Sequence, residues 1–200
     1  MGGNTNLDAY DTDSPHRSGA PGPKSTAIDP SVRRAVPADA RAVAEIGVLG
    51  WQAAYRDILS GDFLAGLSVG PREVAWRSML ESDEEGLAPS WLAELEARPV
   101  GFIATGPPRD EDLPLPAAEV YALYVLPDVW RRGAGSALLA KAVDHWRADG
   151  VTTLVLWVLE ANLSARSFYE SQGWRPDGAA QSIDVGGAVN IEVRYRLGIH

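Results

Sequence analysis

The feature that most constrains the fold is a strand–helix–strand succession in the second half of the chain. It runs through AEVYALYVL (118–126), GSALLAKAVDHWRADG (135–150) and TTLVLWVLE (152–160). The first run ends at Pro127, which has no N–H to give a sheet ladder. The second places Leu138, Leu139, Ala142, Val143 and Trp146 on one helical face and stops at Gly150. The third is almost continuously apolar, as a strand covered on both faces must be. Two strands joined by a helix pair in parallel through a right-handed crossover.

The remaining segments surround this unit. SVRRAV (31–36) has the pattern of a short strand. Pro37 suits the first turn of a helix that continues through residues 38–59. Val43, Ile46, Leu49, Ala53, Ala54 and Ile58 form its inner face, and Gly47 and Gly50 weaken or bend it. PREVAWRSML (71–80) predicts a second helix, ending at the acidic SDEEG (82–86). WLAELEARPVGFIATG (91–106) reads as a hairpin turning at Ala97–Pro99, and PPRDEDLPLP (107–116) as an acidic loop. NLSARSFYESQG (162–173) predicts a short helix. NIEVRYRL (190–197) predicts the last alternating strand, with at least one further strand. An antiparallel hairpin beside a parallel unit predicts an α/β protein with a central mixed sheet and helices on both faces. Residues 1–29, rich in Gly, Ser, Pro, Asp and Thr, predict a disordered tail before a domain spanning 30–200.

Several chemistries are excluded at once. The chain has no cysteine, so a disulfide framework, a thiolate metal site and a thiol nucleophile are all ruled out. Its histidines, His16, His145 and His200, form no metal or triad pattern, and no metal is expected. A net charge of −9 argues against nucleic-acid binding, which depends on neutralising phosphates. The same charge serves solubility and is compatible with a cationic substrate such as an amine. No apolar run reaches the length of a membrane span and no signal region opens the chain, so a cytoplasmic protein without a membrane partner is expected.

The loop between the first strand and its helix carries the functional signal. Gly133 and Gly135 let the backbone bend and another group approach. The amides of residues 131–136 then lie at a helix N-terminus, where Arg131 and Arg132 add positive charge: an anion site for phosphate or pyrophosphate. Ala134 and Ser136 complete it. A Walker loop would need Lys-Ser or Lys-Thr after the last glycine, but Ser136-Ala137 follows. A dinucleotide fingerprint would need glycine at residue 138, which is Leu138.

The chain resembles the GNAT superfamily of acetyl-CoA-dependent N-acetyltransferases. Its cofactor motif, V-x-P-x-x-(Q/R)-x-x-G-x-(G/A), appears as Val125, Pro127, Trp130, Gly133 and Gly135, with Trp130 where Gln or Arg is usual. A second motif, N-x-x-A-x-x-F-Y-x-x-x-G-(F/W), appears as Asn162, Ala165, Phe168, Tyr169, Gly173 and Trp174. The resemblance implies a sheet opened between the two parallel strands. Acetyl-CoA would lie there, its pantetheine arm on the main chain of Leu123 and Val125 and its pyrophosphate on residues 131–136. Asn162 would cap the following helix and touch the arm.

By the same resemblance Tyr169 would protonate the leaving thiolate, although its spacing with Ala165 and Phe168 also suits a core stripe. Glu119 would be the base, with Glu160 a weaker rival. Simple strand alternation puts Glu119 on one face with Tyr121, Leu123 and Val125. Trp51 and Tyr55 would wall the acceptor site, where Phe63 also falls, or pack the core. The acceptor would be a small-molecule or peptide amine, and a homodimer is left open. Two rival readings remain: a non-catalytic acyl-CoA binder, and a transferase of longer acyl chains.

Overall fold

The computed structural model describes residues 29–82 and 89–199; all but the last residue of the expected disordered tail and most of the acidic SDEEG segment lie outside them. Seven strands form one sheet: β1 (Ser31–Arg34), β2 (Ser90–Leu95), β3 (Arg98–Gly106), β4 (Ala117–Val125), β5 (Thr153–Leu159), β6 (Arg175–Val185) and β7 (Ala188–Gly198). Their order is β1-β2-β3-β4-β5-β7-β6. The β4–β5 pair is parallel and every other pair antiparallel, as the crossover through a helix requires. The sheet is thus mixed, as the sequence predicts.

Among the described residues five α-helices accompany it: α1 (Ala40–Ala54), α2 (Gly61–Ala65), α3 (Val69–Glu81), α4 (Ala134–Ala148) and α5 (Leu163–Ser171). The two faces of β3 show where they lie. Phe102 meets Gly47 of α1, Trp76 of α3 and Tyr124. On the opposite face, Gly101 lies against Leu138 of α4, and Thr105 accepts a hydrogen bond from the Trp146 indole at 3.0 Å. Leu138, Leu154 and Leu156 are fully buried in this core. Truncating one of them to alanine costs about 2–5 kcal/mol.

Four details add to or differ from the expectations. The long first helix ends at Ala54; a turn and the separate α2 follow, with Ser60 capping α2 by accepting from the Phe63 amide at 3.2 Å. Leu49 is 47% exposed, whereas Val48 is buried. Gly50 does not break α1: a Cβ there would come within 2.9 Å of the Tyr124 ring, so glycine lets α1 lie directly on β4. Finally, β6 begins at Arg175, immediately after α5, and forms a long hairpin with β7 across Gly186-Gly187. Its mixed polar and apolar pattern gives little periodic signal.

Candidate active site

The sheet opens where the resemblance implies. β4 and β5 pair through only four positions, from Ala117↔Thr153 to Val120↔Leu156. Beyond them β4 stays with β3 up to Val125, while β5 stays with β7 up to Leu159. The Leu126 amide donates to the Val100 carbonyl at 2.8 Å, which fixes the direction of the main-chain groups. Alternate residues point to opposite edges, so the N–H and C=O groups of Leu123 and Val125 face the opening. Trp130, the departure from the family pattern, has a structural role here. Its indole N–H donates to the Val125 carbonyl at 2.8 Å.

The floor of the opening passes into the N-terminus of α4. Gly133 caps that helix in the left-handed region, at φ 86°, where a β-carbon is strained. The first helical bond runs from the Ala137 amide to the Gly133 carbonyl, so the amides of residues 134–136 point away from the helix. Arg131 and Arg132 are exposed beside them. Gly135 lies against the Phe168 ring of α5. The cofactor residues predicted from sequence are therefore gathered along one path, from Leu123 to Ser136. Asn162 stands at the far side: its side chain accepts from the Ala165 amide at 3.1 Å and caps α5.

A cluster of phenols fills the junction. Tyr169 is buried, with ring centroids 5.4 Å from Phe168 and 6.1 Å from Trp174. It therefore occupies the core stripe and the junction together. Burial pushes its phenol well above the ordinary tyrosine value, and the neighbouring Tyr55 adds to this. Among the described residues its hydroxyl has no hydrogen-bond partner. Tyr55 and Tyr124 are raised for the same main reason, burial. Tyr55 reaches the cluster from the end of α1, near Tyr124 and the Asn162 side chain. Trp51 packs against Tyr55 with ring centroids 4.9 Å apart and planes tilted by 60°, and approaches Phe63 and Tyr124. Both predicted acceptor-wall residues are thus next to the opening, and both also pack.

Glu119 requires a correction. The β3–β4 register shifts between Ala104↔Ala122 and Thr105↔Val120, leaving Tyr121 as an extra residue. The bulge reverses the alternation. Opposed residues share a face, so Val120 lies with Leu123 and Val125, whereas Glu119 lies on the other face, with Val155. The side chain is fully buried. Its oxygens accept from the Arg109 amide at 3.0 Å and from the Arg109 guanidinium, which stacks over Tyr121. Glu160, the rival, is exposed on the turn beyond β5.

The acidic loop is more than a connector. Arg194 of β7 is only 4% exposed, and three loop and strand carboxylates hold it: Asp112 at 2.6 and 2.8 Å, Asp177 at 2.8 Å and Asp110 at 3.1 Å. Asp110 also accepts from the Trp157 indole at 2.9 Å, and Arg194 lies over the Trp157 ring. The loop is thereby fixed against β5 and β7 beside the opening. Sequence reasoning missed Arg109, Tyr124, Trp157 and Arg194. The only available signal was the charge pattern of PPRDEDLPLP together with the Arg194-Tyr195-Arg196 run of the last strand, and that does not specify pairing.

A sheet split between its two parallel strands, with a helix N-terminus at the mouth, defines an acyl-CoA-type transferase architecture. The comparisons agree. The model of the Acetyltransferase (GNAT) family matches residues 52–174, and the chain belongs to that family. It is 33% identical over 152 residues to an uncharacterized N-acetyltransferase of Bacillus subtilis, covering 76% of this chain and 82% of that protein. It is 31% identical over 169 residues to a probable N-acetyltransferase of Mycobacterium tuberculosis, covering 83% and 92%. Among solved structures, the fold matches the PaiA N-acetyltransferase of Thermoplasma acidophilum in complex with coenzyme A. That match has a TM-score of 0.65 and 18% identity over 84% of this chain and 98% of the other. The ribosomal-protein-S18-alanine N-acetyltransferase of Escherichia coli matches with a TM-score of 0.59 and 22% identity, over 85% and 94%.

Proposed function

We propose that this chain transfers an acetyl group from acetyl-CoA to a primary amine by direct attack. The observation that carries the reading is the opening itself. Main-chain groups of Leu123 and Val125 that take no part in the β4–β5 ladder line it, the Val125 carbonyl accepting from Trp130, and it leads onto the free amides of α4. These groups fit an extended arm bearing amides and ending in phosphates: the arm adds as a strand, and the phosphates meet a helix N-terminus. Arg131 and Arg132 add charge there, and the Asn162 cap bounds the arm. When bound, acetyl-CoA supplies the activated acyl carbon and the thiol leaving group.

Tyr169 is the proton donor in this reading. Because burial holds its pKa up, the phenol keeps its proton at neutral pH and has one to give. Glu119 is the proton acceptor only when its ion pair with Arg109 opens, since both carboxylate oxygens are engaged. Trp51 and Tyr55 border the space where the amine arrives. With no cysteine in the chain, a thiol-bound acyl-enzyme is excluded and the amine attacks directly.

Two measurements test this: titration of acetyl-CoA calorimetrically, and release of free thiol across a panel of amines. Binding, with thiol release only when an amine is present, is the expected outcome. Binding with no release on any amine would instead support an acyl-CoA sensor, and faster release from longer acyl-CoAs would change the donor.

A further inference from the structure

Most of the carboxylates named so far around the opening are already taken. Glu119 is held by Arg109, and Asp110 and Asp177 by Arg194. Glu192 of β7 is different. It pairs in register with Leu159 of β5 and with Gln181 of β6, so its side chain shares their face. That is the face of Arg194 and Trp157, two residues along the strands, and of the apolar cluster formed by Leu159 with Trp51, Tyr55 and Phe63. Glu192 is half-buried. Among the described residues its carboxylate takes one hydrogen bond, from the Gln181 amide at 3.2 Å, and no ion pair within 4.0 Å.

Its position within the site has independent support. The negative charge of Glu192 is felt by the Tyr55 phenol on one side and by the Arg109 guanidinium on the other. Glu192 therefore lies near both the end of α1 and the acidic loop. Tyr169, a buried residue whose hydroxyl has no hydrogen-bond partner among the described residues, also neighbours Tyr55. A donor without a hydrogen-bond partner and a carboxylate without an ion pair, both among the described residues, thus share Tyr55 as a neighbour beside an apolar and aromatic cluster. A carboxylate half-removed from water and lacking a cation is a ready site for one, and a charge-assisted bond there is stronger than at a free surface.

We infer that Glu192 is the acceptor-binding carboxylate: it holds the ammonium group of a primary amine whose stem is apolar or aromatic and packs against Tyr55 and Leu159. The role is one of binding and selection. It deepens the acetyl-transfer reading and rests on it for the direction from which the amine arrives. Arg109 lies nearby, but Glu119 already balances its charge, so a second cation at Glu192 is not opposed by an unpaired one.

The test uses the full chain and defined probes. Phenethylammonium chloride and its neutral isostere 2-phenylethanol are titrated calorimetrically into wild-type protein saturated with coenzyme A, and into Glu192→Gln. The ammonium should bind wild type at least about tenfold more tightly than the alcohol, and Glu192→Gln should remove that preference. In thiol-release assays the substitution should raise KM for phenethylamine by a similar factor. It should leave an aromatic amine that is neutral at assay pH within about twofold. Equal binding of ammonium and alcohol by wild type would overturn the assignment, and that comparison needs no variant. Equal loss on charged and neutral acceptors would also overturn it, because it would make Glu192 merely structural. Coenzyme A is titrated separately. If it does not bind, the cofactor reading falls, and the ammonium–alcohol comparison on the free chain still decides the role of Glu192.

Discussion

The α4 side and the α1 side of the opening are built from different material. On the α4 side the groups that matter are main chain: the edges of Leu123 and Val125, the left-handed Gly133 and the amides that follow it, all within fourteen consecutive residues. On the α1 side they are side chains from widely separated segments: Tyr55, Arg109, Glu119, Trp157 and Glu192, brought together by α1, a loop and three strands. Main-chain groups exist at every residue, so the first side needs only the right backbone path. The second needs particular residue types at particular places. One side can therefore persist through many side-chain changes, while the other can be retuned by a single one.

The largest expected effect tests the meeting point of the two sides. Tyr169→Phe removes one hydroxyl and keeps the ring against Phe168 and Trp174. Turnover should fall by about two to four orders of magnitude with little change in acetyl-CoA affinity, measured by thiol release and calorimetry. Because burial raises the phenol above its ordinary value of about 10, wild-type turnover should show no descending limb due to Tyr169 between pH 7 and about 9.5. Unchanged turnover in the variant would return Tyr169 to the core alone.

Next comes the backbone of the α4 side. Gly133→Val places a β-branched residue at φ 86° and should weaken coenzyme A binding by about tenfold or more. If affinity holds while the fold is intact by circular dichroism, the loop leaves the cofactor site and the comparison fails on that side.

Glu119→Gln probes the other side by a different readout. The guanidinium of Arg109 would lose its charged partner but can turn to solvent, so a stability loss of about 1–3 kcal/mol is expected as a lower Tm. Turnover against pH separates the two roles of Glu119. A defect relieved at high pH, where more amine is already neutral, marks a proton acceptor; a uniform small defect marks a loop anchor.

The smallest effect belongs to a side chain on the main-chain side. Arg131→Ala removes one exposed, solvent-screened charge and should change coenzyme A affinity by at most about fivefold, with the difference shrinking as salt is raised. A loss larger than that of Gly133→Val would invert the comparison.

Much of the frame was legible because its determinants are local. The β4–α4–β5 unit, the turn at Pro127 and the glycine at the head of α4 are each fixed by a few neighbouring residues and by helix and strand periods. The two motifs then placed Leu123, Val125, Gly133, Asn162 and Tyr169 around one opening. The hairpin strand β6 was not legible, because its exposed, mixed sequence is held in place by β7 rather than by its own pattern.

Tertiary structure alone decided the acceptor side. Strand alternation put Glu119 with Leu123, but one extra residue at Tyr121 sent it to the opposite face, and a bulge leaves no mark in a period-two pattern. Arg109 then claimed its carboxylate from a loop ten residues earlier, while among the described residues Glu192 forms no ion pair. Which charge meets which depends on how distant segments pack. Sequence order determined the sheet, the crossover and the main-chain cradle; only the packed fold, which sets distances between residues far apart in the chain, determined which carboxylates are paired and which are not.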